Sequence, residues 1–175
     1  SVQEKPTNRI QVLVSLLKPK TSTIIYVPTT KEVDDISNAL CTHDILAVAY
    51  HAKLDHVVRG NSHRTFIRDE AYVMVATLGY GMGIDKPDVR TVVHWGPPKT
   101  QEAYYQQSGR AGRDGEPAEC ILFVNRNDWM RMSLIIGTGP ESTIANSCLN
   151  TMRRYSECKD LCRRWVLITH FGESP

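Results

Sequence analysis

Arg110 and Arg113 stand in the run Gln106-Gln107-Ser108-Gly109-Arg110-Ala111-Gly112-Arg113-Asp114-Gly115, two guanidiniums three residues apart with a glycine before each. A guanidinium is a rigid, permanently charged fork of donors that matches phosphate oxygens. Glycine lets backbone come close to a ligand. The pair therefore reads as phosphate chemistry. A solvated basic turn would explain the same residues in isolation, so the weight comes from the chain around them.

The elements that must position this run follow from hydrophobic period. Ile10, Leu13, Val14 and Leu17 recur at helical spacing over 8–18, and the pattern stops before Pro19. A β-branched run at 23–27 is followed by Thr29 and Glu32, spaced as a capping box for a helix that buries Val33, Ile36, Ala39 and Leu40. Further strands are expected at 45–50, 72–77, 91–95 and 119–124, with a less regular helix over 56–69 interrupted by Gly60. Nearly continuous apolar strands separated by helices predict a parallel sheet covered on both faces. Ligands in such sheets gather beyond the carboxyl ends of the strands, and three loops are expected there: 50–54, 78–87 and the segment ending in the arginine pair. From about residue 128 the pattern is helical only. Ile144, Cys148, Met152 and Tyr155 are spaced for one face, and Leu161, Trp165 and Ile168 for a second helix. The expected organisation is an α/β domain over 1–136 and a helical appendage over 137–175, joined near 137–140.

Composition excludes more than it selects. The chain has 175 residues, 41% hydrophobic and 23% charged, with a net charge of +2, which is ordinary for a globular protein and argues against disorder. Arg153, Arg154, Lys159, Arg163 and Arg164 crowd one region, as a solvated helix face or a polyanion-binding run would. No apolar stretch reaches membrane-span length and no signal-peptide pattern opens the chain, so an intracellular setting is expected. Five cysteines at uneven spacing make no disulfide framework, and Cys41 and Cys120 are expected as small core residues. Two motifs mislead. Asp69-Glu70-Ala71 precedes a strand instead of ending one, which suits a turn better than a magnesium box. Gly79-Tyr80-Gly81-Met82-Gly83 has its third glycine one position too early for a dinucleotide fingerprint. No P-loop sequence occurs anywhere in the chain.

Tyr50-His51-Ala52, Val75-Ala76-Thr77, Gly81-Met82-Gly83-Ile84-Asp85-Lys86-Pro87-Asp88-Val89-Arg90 and the run from Gln106 to Gly115 occur in an order and spacing that resembles the second RecA-like domain of RecQ-family DNA helicases. The likeness covers about 23–117 and resumes from Cys162-Arg163-Arg164 to His170-Phe171-Gly172-Glu173, which resembles the start of that family's zinc-binding subdomain. The resemblance implies a RecA-like fold and an ATP site, with magnesium, lying between two such domains, the P-loop belonging to the first. It makes Arg113 the arginine finger, Arg110 a second phosphate contact or cleft organiser, and Gln106 the group that reaches the nucleotide or its attacking water. Asp85 and Gly83 fall on the nucleotide side. His51 and Thr77 fall where the family touches the phosphate backbone of single-stranded DNA. Lys53 stands where the family has glycine and adds a candidate phosphate contact; His63 and Tyr80 are further departures. Cys162 matches the first zinc ligand, with its partners further along a full-length parent, so no zinc is expected on this stretch alone. The implied parent is an ATP-dependent 3′ to 5′ helicase of single-stranded and duplex DNA, acting in repair, recombination or replication, and nuclear in a eukaryote. This stretch alone is expected to be inactive. The alternatives are another superfamily 2 RNA helicase or DNA translocase, or a non-catalytic nucleic-acid-binding RecA-like module.

Overall fold

Runs such as Thr23–Val27, Thr-Ile-Ile-Tyr-Val, are too β-branched and too continuously apolar to leave either face in water, and all five residues are buried. In the computed structural model, which describes residues 1–78 and 84–174, six strands form one parallel sheet. In chain order the elements are β1 (Val2–Glu4), α1 (Arg9–Leu16), β2 (Thr23–Val27), α2 (Thr30–Cys41), β3 (Ala47–Tyr50), α3 (His56–Ile67), β4 (Val73–Thr77), β5 (Thr91–Trp95), α4 (Gln101–Ser108), β6 (Glu119–Val124), α5 (Arg126–Ile136), α6 (Pro140–Glu157) and α7 (Arg163–His170). The strand order is β1-β6-β5-β2-β4-β3. This is the covered parallel sheet expected from the alternating pattern, and the RecA-like fold that the resemblance implies.

Strand alternation sorts the side chains into two cores. Ile25, Val27, Val73, Val75, Val93, Ile121 and Phe123 meet Leu13 of α1 and Val33, Ile36 and Leu40 of α2. Ile24, Tyr26, Met74, Ala76, Val92 and Leu122 face Phe66, Tyr104, Trp129, Met132, Leu149, Met152 and Tyr155 from α3, α4, α5 and α6. Burial of each such side chain contributes about 1.5–3 kcal/mol before entropy is counted. Thr29 caps α2 by accepting from the Glu32 amide at 3.3 Å, and its hydroxyl donates to Glu32 Oε2 at 2.9 Å.

Several expectations change. The three-residue β1 pairs in parallel with β6, a strand that only its neighbour creates. The arginine run begins on a helix, because Thr100 caps α4 by accepting from the Ala103 amide. The face of α6 turned to the sheet is Leu149, Met152 and Tyr155, while Ile144 is exposed. In α7, Val166 and Leu167 pack inward and Trp165 is exposed, while Leu161 falls ahead of the helix and is exposed too. Cys41 is exposed and Cys120 only partly buried. Asp69 follows the end of α3 at φ 58° and takes the buried ammonium of Lys86 at 2.9 Å, as a turn residue.

Candidate functional site

Parallel crossovers decide where each loop lies. A strand leaves the sheet at its carboxyl edge and the chain returns at the amino edge. Tyr50 and Thr77 end β3 and β4 at the carboxyl edge, and Leu78 continues there by donating to the Val27 carbonyl at 2.9 Å. The arginine loop comes after α4 and is therefore at the other edge. Gly112 donates to Val89 O at 2.9 Å, Asp114 to Pro87 O at 3.2 Å, and Glu119 to Arg90 O at 2.8 Å, all just ahead of β5. The expectation that all three loops share the carboxyl edge is thus corrected.

Salt bridges fasten the amino edge. Lys86 is buried between Asp69 at 2.9 Å and Asp88 at 3.0 Å; burial pulls its ammonium down, and the two carboxylates more than offset this, leaving it above its ordinary value. Arg90 reaches Asp114 at 2.5 Å and holds that carboxyl below its usual range. Gly112 has φ 64°, and a Cβ there would meet Glu116 O at 2.8 Å, so a side chain would break the loop's close return. On this base Arg113 donates through Nη1 to Asp85 Oδ1 at 2.7 Å; the arginine side chain is 39% exposed and the aspartate 85%. Arg110 is only 5% exposed and donates through Nη1 to Ile84 O at 2.5 Å. No carboxylate among the described residues pairs with it, and its Nε is buried without a partner there. Gln106 is exposed on α4. Gly83 and the rest of 79–83 lie outside the described residues.

Between the edges lies a buried polar chain. Gln107 donates its amide to Leu78 O, and its Oε1 lies 2.9 Å from His94 Nε2. A carbonyl can only accept, so the amide nitrogen faces Leu78 and the amide oxygen faces His94, which assigns the imidazole as the Nε2–H tautomer. His94 stacks on Tyr26 at 5.2 Å and tilts against Tyr104 at 5.0 Å. Burial drives its pKa from 6.5 to about 4, against the pull of Gln107, so the ring is neutral at pH 7. Burial likewise lifts Tyr26 to about 12 despite the nearby Arg110. Neither Gln107 nor His94 was singled out by sequence; the available signal was a histidine inside an apolar strand.

The carboxyl edge is plainer. His51 is turned inward, 4% exposed, with Nε2 3.1 Å from Asp34 Oδ1. Lys53 is exposed and Thr77 half-buried at the strand end. Among the described residues no three His, Cys, Asp or Glu side chains are grouped to hold a metal ion. Cys162 is exposed at the start of α7, where amides of Trp165 and Arg164 hold its thiol below the usual range. His170 is engaged with Glu102 at 2.6 Å, and Phe171 packs on Tyr105 at 4.9 Å, which docks α7 on α4. No helix among the described residues is long and apolar enough to cross a membrane.

Residues 8–115 match the family described as the helicase conserved C-terminal domain. The chain is 38% identical over 173 residues to a protein of Acanthamoeba polyphaga mimivirus named as an ATP-dependent RNA helicase, covering 97% of this chain and 31% of that protein. It is 40% identical over 161 residues to the RecQ-like DNA helicase blm-1 of Caenorhabditis elegans, covering 90% of this chain and 16% of the relative. The chain thus spans less than a third of either relative. A solved structure of the E. coli DEAD-box protein SrmB, bound to regulator of ribonuclease activity A, superposes with a TM-score of 0.65 at 25% identity, over 73% of this chain and 76% of that one.

Proposed function

The chain belongs to the helicase conserved C-terminal domain family, and on that premise we propose that it is the second motor domain of an ATP-driven 3′ to 5′ DNA helicase of RecQ type. The observation that carries this reading is half a phosphate site. Arg113 is presented at the surface on a salt-bridged base, beside a buried Arg110 that has no carboxylate partner among the described residues. A buried, uncompensated guanidinium is costly in an isolated domain, and an incoming phosphate would offset the cost. The chain has no P-loop of its own, so that phosphate comes on ATP held by another domain.

In this reading Arg113 is the finger that meets charge developing on the transferred phosphoryl group, and Arg110 organises the cleft behind it. Asp85 aims Arg113 before ATP arrives, which is electrostatic preorganisation. Gln106, exposed on α4 just ahead of the arginine loop, is within the region that faces the nucleotide or its water. Magnesium would travel with ATP and be held mainly by the first domain. Lys53 and Thr77 meet the phosphate backbone of DNA without reading bases, which suits movement along any sequence. His51 serves that edge by tying its loop to Asp34. Cys162 suits a zinc ligand in a longer chain, since an exposed thiol with a lowered pKa favours the thiolate a metal takes. The boundary between motor domain and zinc-binding subdomain falls near 137–140, although α6 buries Leu149, Met152 and Tyr155 against the sheet. Repair, recombination or replication, in the nucleus of a eukaryote, is the setting the RecQ resemblance implies.

ATP turnover by the full-length protein, with DNA or RNA strands as activator and DNA or RNA duplexes as substrate, tests the proposal. Turnover and unwinding are expected with DNA and not RNA, and none from this stretch alone. Preference for RNA would favour the RNA-helicase reading that the mimivirus relative's name suggests. No turnover with either would favour a non-catalytic module.

A further inference from the structure

Strand β1 ends the sheet, and its outer side is open. Leu122 donates to Ser1 O at 2.9 Å and Lys5 donates to Val124 O at 3.1 Å, so Ser1 and Lys5, with Gln3 between them, bond to β6. In a parallel pair alternate residues turn their amides to opposite sides, which leaves the N–H and C=O of Val2 and Glu4 pointing away from the sheet. No further strand lies beyond β1 among the described residues. Such an edge is a template for one more strand.

Beside that edge is a cavity of about 510 Å³, walled on its far side by the end of α6 and the start of α7. Four cations line it, Arg126, Arg153, Lys159 and Arg163, against the two carboxylates of Glu4 and Glu157. Arg153 holds Glu157 at 2.8 Å, and Arg163 reaches only the carbonyls of Tyr155 and Ser156, each at 3.5 Å. Among the described residues the side chains of Arg126 and Lys159 meet no carboxylate. Cations on one wall and unpaired amides on the other suit a ligand that carries both carboxylates and a peptide backbone. A nucleic acid would bring its phosphates past Glu4, and its backbone has no donor for the outward carbonyls. A polypeptide strand satisfies both walls.

We propose that this groove takes an extended acidic polypeptide of a partner protein, added as a strand beside β1 with a carboxylate at every second residue. Side chains alternate along a strand, so a period of two sets every carboxylate on the face toward Arg126, Lys159 and Arg163. Val2 already packs into the core on that face, with Trp129. The ladder is short, because β1 has only three residues, and the cations supply much of the affinity and the on-rate. None of these residues belongs to the arginine run or to the Lys53 and Thr77 end of the sheet, so the surface stands apart from the proposed motor function.

The test is fluorescence anisotropy on the full-length protein that carries this chain, with a fluorescein-labelled peptide of alternating Glu and Val as the probe. The wild type is expected to bind it, and to bind the same residues arranged in two blocks, or a peptide with Lys in place of Glu, more weakly by about fivefold or more. Arg126→Glu combined with Lys159→Glu, both at exposed positions, should weaken the alternating probe by about tenfold or more and leave ATP turnover within about twofold. Glu4→Pro removes an outward N–H and no bond to β6; it also removes a repelling carboxylate, yet binding should weaken by about threefold. If Glu4→Pro does not fold, the block peptide still reads strand pairing. A wild type that ignores the alternating probe, as it would if its own chain or a second copy covered the edge, would overturn the assignment. So would binding unmoved by the double reversal, or a double reversal that weakens duplex DNA or oligothymidylate and spares the peptide, which would make this a nucleic-acid surface.

Discussion

Around the arginine run at the amino edge of the sheet cations are held in place, and at the β3–β4 end of the carboxyl edge Lys53 is left exposed, while elsewhere on that edge Lys5 pairs with Asp128 and Arg131 with Glu32. Lys86 sits between two carboxylates, Arg90 is locked to Asp114, Arg110 is buried against Ile84 O, and Arg113 leans on Asp85. Across the sheet, Lys53 is exposed and His51 has turned inward to Asp34. The difference fits two kinds of work. Stabilising a transition state needs charges that are already in position, because reorganising them during reaction raises the barrier. Gripping a strand that must also be released needs sparse donors that rearrange at little cost. Under the proposed function, catalysis would belong with the arginine run and strand contact with the β3–β4 end of the other edge.

This contrast predicts a graded set of outcomes. The largest is at Arg113. Arg113→Ala in the full-length protein should lower ATP turnover by about 10³–10⁵, and Arg113→Lys should rescue little, since a point charge lacks the guanidinium fork. Next comes His94, between the edges. Its folded pKa of about 4 lies below the ordinary 6.5, so the unfolded chain binds the proton first. Stability is therefore full above pH 6.5 and falls by about 3 kcal/mol as the pH drops to 4, a loss that denaturant melts of His94→Phe should not show. At the amino edge, Lys86→Met should cost about 1.5–3 kcal/mol in the same melts, through lost charge-assisted hydrogen bonds. The smallest effect is at the carboxyl edge. Lys53→Ala should leave stability within about 0.5 kcal/mol. It should weaken single-stranded DNA binding by about 1 kcal/mol for every sequence, and lower the salt-dependence slope by about 0.7. Equal destabilisation by the Lys86 and Lys53 substitutions would erase the contrast.

The parts legible in the sequence are those where local pattern and tertiary role agree. Strands at 91–95 and 119–124 fall where β-branched and apolar runs put them, because buried parallel strands need such runs on both faces. The three-residue β1 carries no such run and exists through its pairing with β6. Helix α4 escaped notice because it buries Gln101 and Gln107, polar residues that no hydrophobic period reveals. Ile144 looked like part of the α6 core face, but a helix face is chosen by what it packs against, and Leu149, Met152 and Tyr155 win the sheet. Within the site, Arg113 and Asp85 could each be found by resemblance, although 28 residues separate them. Their edge could not be, since the crossover geometry of α4 decides it. Gln107 was hidden for a different reason: two adjacent glutamines look alike in sequence, and only burial separates the inward one from Gln106.

The central claim is that the amino edge serves ATP and the carboxyl edge serves DNA. Its most direct test is to measure ATP turnover and oligothymidylate affinity side by side on Arg113→Ala in the full-length protein. The account predicts turnover lost with DNA affinity within about twofold of wild type, because Arg113 and the strand-contacting edge are separate. Turnover retained, or DNA affinity lost in step with it, would contradict the account.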